Sequence, residues 1–428
     1  MLSKIEINKI LALLRNEVKV SVGSNEPMAI ALAVAKATEL LGCVPEKVVA
    51  KLSPKIIKNS IGVLVNGMHG AAGIPYAMAL GALYGKADQG LNVLDHINED
   101  AIPTAKKFID ESRCDVRPAR SFEMIYVEVE ALADGHEAKV IIAKQADHFI
   151  LLRKDDEILL DERQNLAREH NRSHESSLNM KLIYDFALEA PLEQLNFLLQ
   201  GARLNKDVAQ KAFDGHFGLG LGKMLKGSFV SRMVGQNTMP RMICYACAAC
   251  DVRMSGAREQ VFCNSESGNS GIVGTLPLLV YAEETCVTES KLLRGLAMSN
   301  LTIIYIKQLL GQLSAHCSCV IAAAGCACGL AYMMGGDYDA VCAAVKNEIA
   351  SLTGMICDGA KPSCTLRISS AVSGAFQAAM MALEGICVPS TDGIIEDSVD
   401  RSIDNIANIG RDAMLENDSL LFRIITEK

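Results

Sequence analysis

The segment GMICDGAKPSC carries two thiols, Cys357 and Cys364, separated by Asp-Gly-Ala-Lys-Pro-Ser. That spacer is rich in turn formers, so the two sulfurs can converge on one point, which a continuous helix would prevent at a separation of seven residues. A helix ending near Ile356 and another starting after Pro362 would frame the turn. A third thiol, Cys317 or Cys319, lies in SAHCSC ahead of an Ala-rich stretch. Three cysteines so placed can hold a cubane iron–sulfur cluster and leave its fourth iron open as a Lewis acid on a substrate oxygen or sulfur. The spacing is not a CxxC repeat, and thirteen of the fifteen cysteines crowd between Cys244 and Cys387. For most of them, packing as small buried hydrophobes is the simpler account.

Other segments offer chemistry of a different kind. CNSESGNSG, Cys263 to Gly271, runs into the apolar IVGTLPLLVYA. Such a loop presents backbone N–H groups and hydroxyls at the positive end of the helix that follows, a seat for a carboxylate. Asn264, Ser265, Ser267, Gly268, Asn269 and Ser270 are therefore candidate substrate-binding residues, although ordinary N-capping accounts for the same letters. VNGMHGAAGIP, Val65 to Pro75, sets three glycines around His69 but lacks both the Walker Lys-Ser/Thr and the dinucleotide spacing. Close packing or a substrate loop is expected there, and no nucleotide. Cys244, Cys247 and Cys250 resemble ferredoxin ligation at first sight, yet on an Ala-rich helix their spacing makes a stripe, so a packed face is expected. His170 and His174 have the spacing of a zinc pair without a third ligand, and are expected to be solvated.

The elements that must position these residues follow from composition and periodicity. The 428 residues are 50% hydrophobic and 21% charged, enough for one large core or two smaller ones. A net charge of 42 − 50 = −8 without a basic cluster disfavours nucleic acid and anionic membranes, and the absence of Trp leaves few rings for base stacking. MLSKIEINKILALLRNEV spaces its apolar residues as a helix, unlike a signal peptide, and an odd cysteine count without a secretion signal argues for reduced thiols in a cytoplasmic protein. Residues 1–110 are helical in pattern, with helices over Asn25–Leu41 and Ile74–Tyr84 and a β-like run over Ile61–Asn66. FEMIYVEVEAL and HEAKVIIAKQADHFILL flank Asp134-Gly135 as a hairpin. From Leu178 onward the pattern is helical, and the 14-residue apolar run Cys319–Tyr332 is too short for a bilayer and predicts a buried central helix. The expected fold is mainly α. Its helical body comprises residues 1–118 and 178–428, with a small inserted α+β subdomain at 119–160 and a polar connector at 161–177.

In chain order, EVKVSVGSNEPMAIALA, GMHGAAGIP, AACDVRMSGAREQVFCNSESGNSGI, a Cys-containing helix ending GLAYMMGG, GMICDGAKPSC and RSIDNIANIGRDAM together resemble the L-cysteine desulfidase group within the serine dehydratase alpha-chain family. The resemblance covers essentially the whole chain. It implies a lyase that uses an oxygen-sensitive [4Fe-4S] cluster and no PLP, eliminating sulfide or water from L-cysteine, L-serine or a close relative to give pyruvate and ammonia. It also implies Cys357 and Cys364 as cluster ligands, Cys317 as the third with Cys319 as the alternative, and the Ser265–Ser270 loop as the holder of the substrate carboxylate. The segment FRIITEK has no cysteine, so it cannot supply the tail ligand of some serine dehydratases.

One departure bears on mechanism. Where the desulfidases read Gly-Cys-Thr-Glu-Pro, with the cysteine as the proposed base, this chain reads Gly23-Ser24-Asn25-Glu26-Pro27. A serine hydroxyl needs its own activating base. Ser24, His69 as a substitute base, and Glu26 as an ammonium partner are the candidate catalytic residues. The alternative is a noncatalytic descendant that senses an amino acid or redox state. Expected partners are a small amino-acid substrate and, at most, a second copy in a homodimer.

Overall fold

The computed structural model describes residues 2–427 apart from 23–24, 69, 120, 122, 124, 166–175 and 311–315. The fold is mainly α with a small α+β region. Helix α1 (Lys4–Glu17) starts at a capping box, in which Glu6 accepts from Ser3 N at 2.8 Å, and leads into β1 (Val18–Val22). Next come α2 (Asn25–Leu41), β2 (Lys47–Leu52), α3 (Pro54–Ser60), α4 (Ile74–Tyr84), α5 (Ile102–Asp110) and β3 (Cys114–Pro118). Strands β4 (Tyr126–Ala133), β5 (His136–Ala143), β6 (Phe149–Lys154) and β7 (Glu157–Asp161) follow. The sheet order is β3-β2-β4-β5-β6-β7, with β2 and β3 parallel and the other neighbours antiparallel.

The β4–β5 hairpin forms as its letters require. Val127, Val129, Ala131 and Ala133 are buried while Tyr126, Glu128 and Glu130 turn outward. Asp134 and Gly135 both adopt positive φ, 52° and 80°, the geometry of a type I′ turn. Helix α2 is apolar on almost every side because it lies between α4 and the sheet.

Three expectations about this region are corrected. Lys47–Leu52, inside the stretch read as helical, is an interior strand of the sheet. Ile61–Asn66 is not a strand; it is a turn in which Leu64 makes a single bridge to Ala72. The sheet also shares one core with α2, α4 and α5, so of the first 118 residues only α1 and β1 join the hydrophobic core of the helical body.

The body consists of α6 (Met180–Glu189), α7 (Leu192–Asp214), α8 (Leu221–Lys226), α9 (Ser228–Val234), α10 (Thr238–Met254), β8 (Gln260–Asn264), α11 (Gly268–Thr285), α12 (Glu289–Leu310), α13 (Ser318–Met333), α14 (Tyr338–Leu352), α15 (Cys364–Leu383), α16 (Val399–Asn408) and α17 (Leu415–Thr426). Helix α13 is the expected central helix: Val320 to Ala331 are buried, and α11, α12, α14 and α15 surround it. It approaches α12 so closely that a Cβ on Gly329 would sit 2.7 Å from the Gly295 carbonyl oxygen. The strand β8 interrupts the helical pattern and pairs antiparallel with β1. Among the described residues no helix is long and apolar enough to cross a membrane.

Candidate active site

Helix α14 stops at Leu352, short of the expected end near Ile356, and α15 begins at Cys364. The turn between them lies against the segment that precedes α13. His316 and Ile356 form an antiparallel bridge, and Cys317 N donates to Met355 O at 3.0 Å. This pairing brings Cys317 to Cys357, and Cys317 shares hydrogen bonds with both Cys319 and Cys357. Cys364 Sγ makes a long contact of 3.8 Å to Gly359 O at the far side of the same turn. Cys317, Cys319 and Cys364 are buried and Cys357 is partly so. The bond with Cys319, together with burial, pushes the Cys317 thiol up against the opposing bond with Cys357, and the bond with Cys317, together with burial, pushes the Cys357 thiol up. Gly359 is indispensable to the turn: its φ is +104°, and a Cβ there would sit 2.1 Å from the carbonyl oxygen of Lys58 on α3.

Cations surround the sulfurs. Asp358 is ion-paired with Lys361 and Arg367, which hold its carboxyl below the ordinary range although burial works against them. Arg367 feels the charge of Cys317 and Cys364, and its Nη1 is buried with no hydrogen-bond partner among the described residues. Lys58, only 6% exposed, acts on Cys357. Lys307, in the last turn of α12, faces Cys357, Cys317 and Cys319; burial, and then Lys55, pull its ammonium down to about 8.

No group of three His, Cys, Asp or Glu side chains among the described residues is arranged to hold a metal ion. A cubane differs in distributing its ligands over separate irons, so its thiols need not meet at one ion. Four thiols from two facing segments, ringed by cations and by an orphaned guanidinium N–H, fit an anionic iron–sulfur cluster in donor type and in charge.

The Asn264–Ser270 loop adjoins this wall. Ser265 and Glu266 both take positive φ, 46° and 61°, and the turn is closed by backbone bonds of 3.1 and 2.9 Å between Asn264 and Ser267. Ser267 caps α11, accepting from Ser270 N at 3.2 Å, and its hydroxyl donates to Ser318 Oγ at 3.2 Å, one residue from Cys317. Ser270 Oγ donates to Ser318 O at 3.4 Å, Asn264 Nδ2 donates to Asn300 Oδ1 at 2.9 Å, and Asn269 Oδ1 accepts from Arg253 at 3.2 Å. Gly268 leaves room for the Arg253 side chain. Most of the loop's polar capacity thus fixes α11 to its neighbours, and only the tip, Ser265 to Ser267, reaches the surface.

Ser24 and His69 lie outside the described residues, as do His170 and His174. Glu26, in the first turn of α2, accepts from Asn59 Nδ2 at 2.8 Å. Its charge acts on Glu266, whose carboxyl is raised first by the mass of protein around it, while Lys55 works in the opposite direction. Glu26, the loop tip and the thiols are therefore gathered around α3. Sequence reasoning missed the residues that gather them: Lys55, Lys58, Asn59, Lys307 and Arg367. In KIIKN, Lys55, Lys58 and Asn59 share one helical face and the intervening Ile56 and Ile57 are buried, but nothing local marks that face as part of a site.

The other motifs serve packing. Cys244, Cys247 and Cys250 form a buried stripe on α10. In the Val65–Pro75 loop, Gly67 N donates to Gly256 O at 2.7 Å, and Gly67 leaves room for Arg258, whose guanidinium donates to Leu94 O and Asp95 O at 3.2 and 3.0 Å.

The model of the serine dehydratase alpha chain matches residues 88–422. The chain is 47% identical to a UPF0597 protein of Bacteroides fragilis, over 99% of each chain. It is 41% identical to a UPF0597 protein of Porphyromonas gingivalis, over 98% of each, and 34% identical to one of Oleidesulfovibrio alaskensis, over 99% of each.

Proposed function

The chain belongs to the serine dehydratase alpha-chain family, and from that premise we propose that it is an iron–sulfur-dependent, PLP-independent lyase. It eliminates sulfide from L-cysteine, or water from L-serine or a close relative, and yields pyruvate and ammonia. The observation that carries this reading is the meeting of Cys317, Cys319 and Cys357, with Cys364 at the end of the same turn, in a ring of cations. Cys317, Cys357 and Cys364 would hold a [4Fe-4S] cluster, with Cys319 as the alternative to Cys317. When bound, the cluster supplies a Lewis acid that makes a β-thiol or β-hydroxyl a better leaving group.

The chain's own groups do the rest. The exposed loop tip, Ser265 to Ser267, orients the substrate. Glu26, fixed by Asn59, meets the ammonium, and Ser24 or His69 takes the α-proton. The electron pair of that C–H bond becomes the Cα=Cβ bond while the Cβ–S or Cβ–O bond breaks and the leaving group departs with a proton. The resulting 2-aminoacrylate tautomerises to its imine, which water hydrolyses to pyruvate and ammonia. Ser24 in place of the desulfidase cysteine favours a second reading, a sensor that keeps the pocket without turnover.

Anaerobic reconstitution with iron and sulfide decides between them, reading iron content and visible absorbance and then assaying pyruvate, ammonia and sulfide from L-cysteine and L-serine. A cluster with pyruvate formation supports the lyase, and a cluster with ligand binding but no product supports the sensor. Absence of a cluster after reconstitution removes the basis of both.

A further inference from the structure

Helices α8 and α9 reverse the usual rule of burial. A surface helix turns its large apolar side chains to the core. Here the buried residues are small, Gly222 in α8 and Ser231 in α9, with Leu221 and Leu225 only partly covered. Gly222 brings α8 so close to α10 that a Cβ there would sit 2.3 Å from the backbone nitrogen of Ala248. The large apolar groups face solvent: Phe229 is 70% and Met233 76% exposed, and Leu219, Met224 and Val234 are exposed with them. The same stretch is positive. Residues 215–250 include Lys223, Lys226, Arg232 and Arg241 and no acidic residue, in a chain that has 50 of them. Exposed apolar groups gathered on one short segment mark an interaction surface.

A surface of opposite character lies elsewhere on the helical body. Between the start of α14 and the end of α15 there is a cavity of about 550 Å³, lined by Asp337, Asp339, Asp397, Leu383 and Lys346 among others. The Lys346 ammonium is already turned to Asp397 O, at 3.4 Å. Leu383 is exposed, as are Met380, Met381 and Ile386 on either side of it in the chain. The walls are fixed in advance. Asn347 Nδ2 donates to Ile386 O and Val388 N donates to Asn347 Oδ1, both at 2.9 Å, while Asp337 accepts from Ala340 N at 3.0 Å. A recess held in this way loses little freedom when it is filled.

We propose that the α8–α9 face of one copy docks in the α14–α15 cavity of a second copy, reciprocally about a two-fold axis. Phe229 and Met233 pack against Leu383 and its exposed neighbours, and Lys226 and Arg232 meet Asp337, Asp339 and Asp397. A lipid surface is the competing occupant of a basic, apolar face. The charges favour the second copy, because a chain of net charge −8 is repelled by an anionic bilayer while its own cavity supplies acidic groups. None of these residues belongs to the candidate active site, so assembly and chemistry are tested apart.

Sedimentation velocity of the full-length protein over a dilution series reads the assembly. The wild type is expected to form a dimer. Met233→Asp on the projecting face and Leu383→Lys in the cavity are each expected to weaken it by roughly 30-fold or more, the loss of a buried anchor, with circular dichroism unchanged. Met233→Ser and Leu383→Ser take their place where a charged variant misfolds. An equimolar mixture of the two charged variants shows how the faces pair. In a mixed dimer one contact is wild-type on both sides and the other joins the two introduced charges, which are opposite, so the mixture is expected to associate more tightly than either variant alone.

A wild type that stays monomeric at its highest soluble concentration would overturn the proposal, as would a dimer that neither variant weakens or a mixture that regains nothing. A dimer weakened by Met233→Asp alone would pair α9 with its own copy and reject the cavity; one weakened by Leu383→Lys alone would reject α9. Monomers that bind phosphatidylglycerol vesicles and lose that binding in Met233→Asp would assign the face to a membrane instead.

Discussion

On α10, Cys244 and Cys247 donate their S–H groups to backbone carbonyls, Gly222 O at 3.2 Å and Thr365 O at 3.5 Å, and Cys250 is fully buried beside them. Ahead of α13, by contrast, Cys317 shares hydrogen bonds with two other thiols, in reach of Lys307 and Arg367. Both sets are buried sulfur in a reducing-type composition; the backbone makes the difference. A helix holds successive sulfurs a turn apart, and neighbouring helices α8 and α15 offer carbonyls to two of them, while burial alone lifts Cys244 to about 11. Two loops bridged at His316 and Ile356 let sulfurs meet and leave them to one another. The sets also cooperate, because Cys247 grips the residue that follows Cys364 and so braces the wall of the site.

The contrast is broken most directly by exchanging the roles. Cys357→Ala is expected to abolish iron binding after reconstitution and to lower pyruvate formation on the order of 100-fold or more, whereas Cys247→Ala should retain wild-type iron. Iron analysis of the two variants side by side checks it; full iron in the first or none in the second erases the distinction.

A second helix-borne group extends it to stability. Glu348 on α14 is 0% exposed, neither carboxylate oxygen has a hydrogen-bond partner among the described residues, and burial lifts it from 4.5 to about 8. The unfolded chain releases this proton above its ordinary pKa while the folded chain keeps it until about 8. The unfolded state therefore binds fewer protons in that window, and stability falls as pH rises through it. The loss is roughly 4–5 kcal/mol at most. Urea unfolding of Glu348→Gln at about pH 5 and about pH 9 should show this slope removed, with iron content unchanged.

Smaller effects refine the picture. Cys247→Ala should cost about 1–2 kcal/mol through lost packing, measured by denaturant midpoint. Ser267→Ala removes the cap of α11 and the link to Ser318, at about 1 kcal/mol, and should raise KM more than it lowers kcat.

How far the sequence foretold this arrangement depended on range. Periodicity within one element was enough for α2, α13 and the hairpin at Asp134-Gly135, and the helical spacing of Cys244, Cys247 and Cys250 separated a packed stripe from a ligand set. Strand β2 escaped because VVA between two lysines is a short apolar run without alternation, a pattern that helices and interior strands share. At the site, Cys357 and Cys364 stood out because a turn between thiols is a local signal, whereas Cys317 was singled out over Cys319 only through the family resemblance. Lys58 and Arg367 did not stand out, since each reads as an ordinary polar residue near a helix end, and it is the docking of α3 against the Gly359 turn that brings Lys58 to Cys357. The Ser265–Ser270 loop was legible as a polar loop, but the spending of its hydroxyls on Ser318 is a tertiary fact.

The pairing of β1 with β8 has a consequence for the order of events during synthesis. The strand that precedes α2 leaves the ribosome long before its partner, because Val18 pairs with Asn264 and Val22 with Gln260. The sheet and the helices sharing its core are complete by then and can assemble as a unit. Strand β1 must wait unpaired until β8 emerges, so a nascent chain halted before that point lacks the pairing that joins the start of the chain to the loop at Asn264.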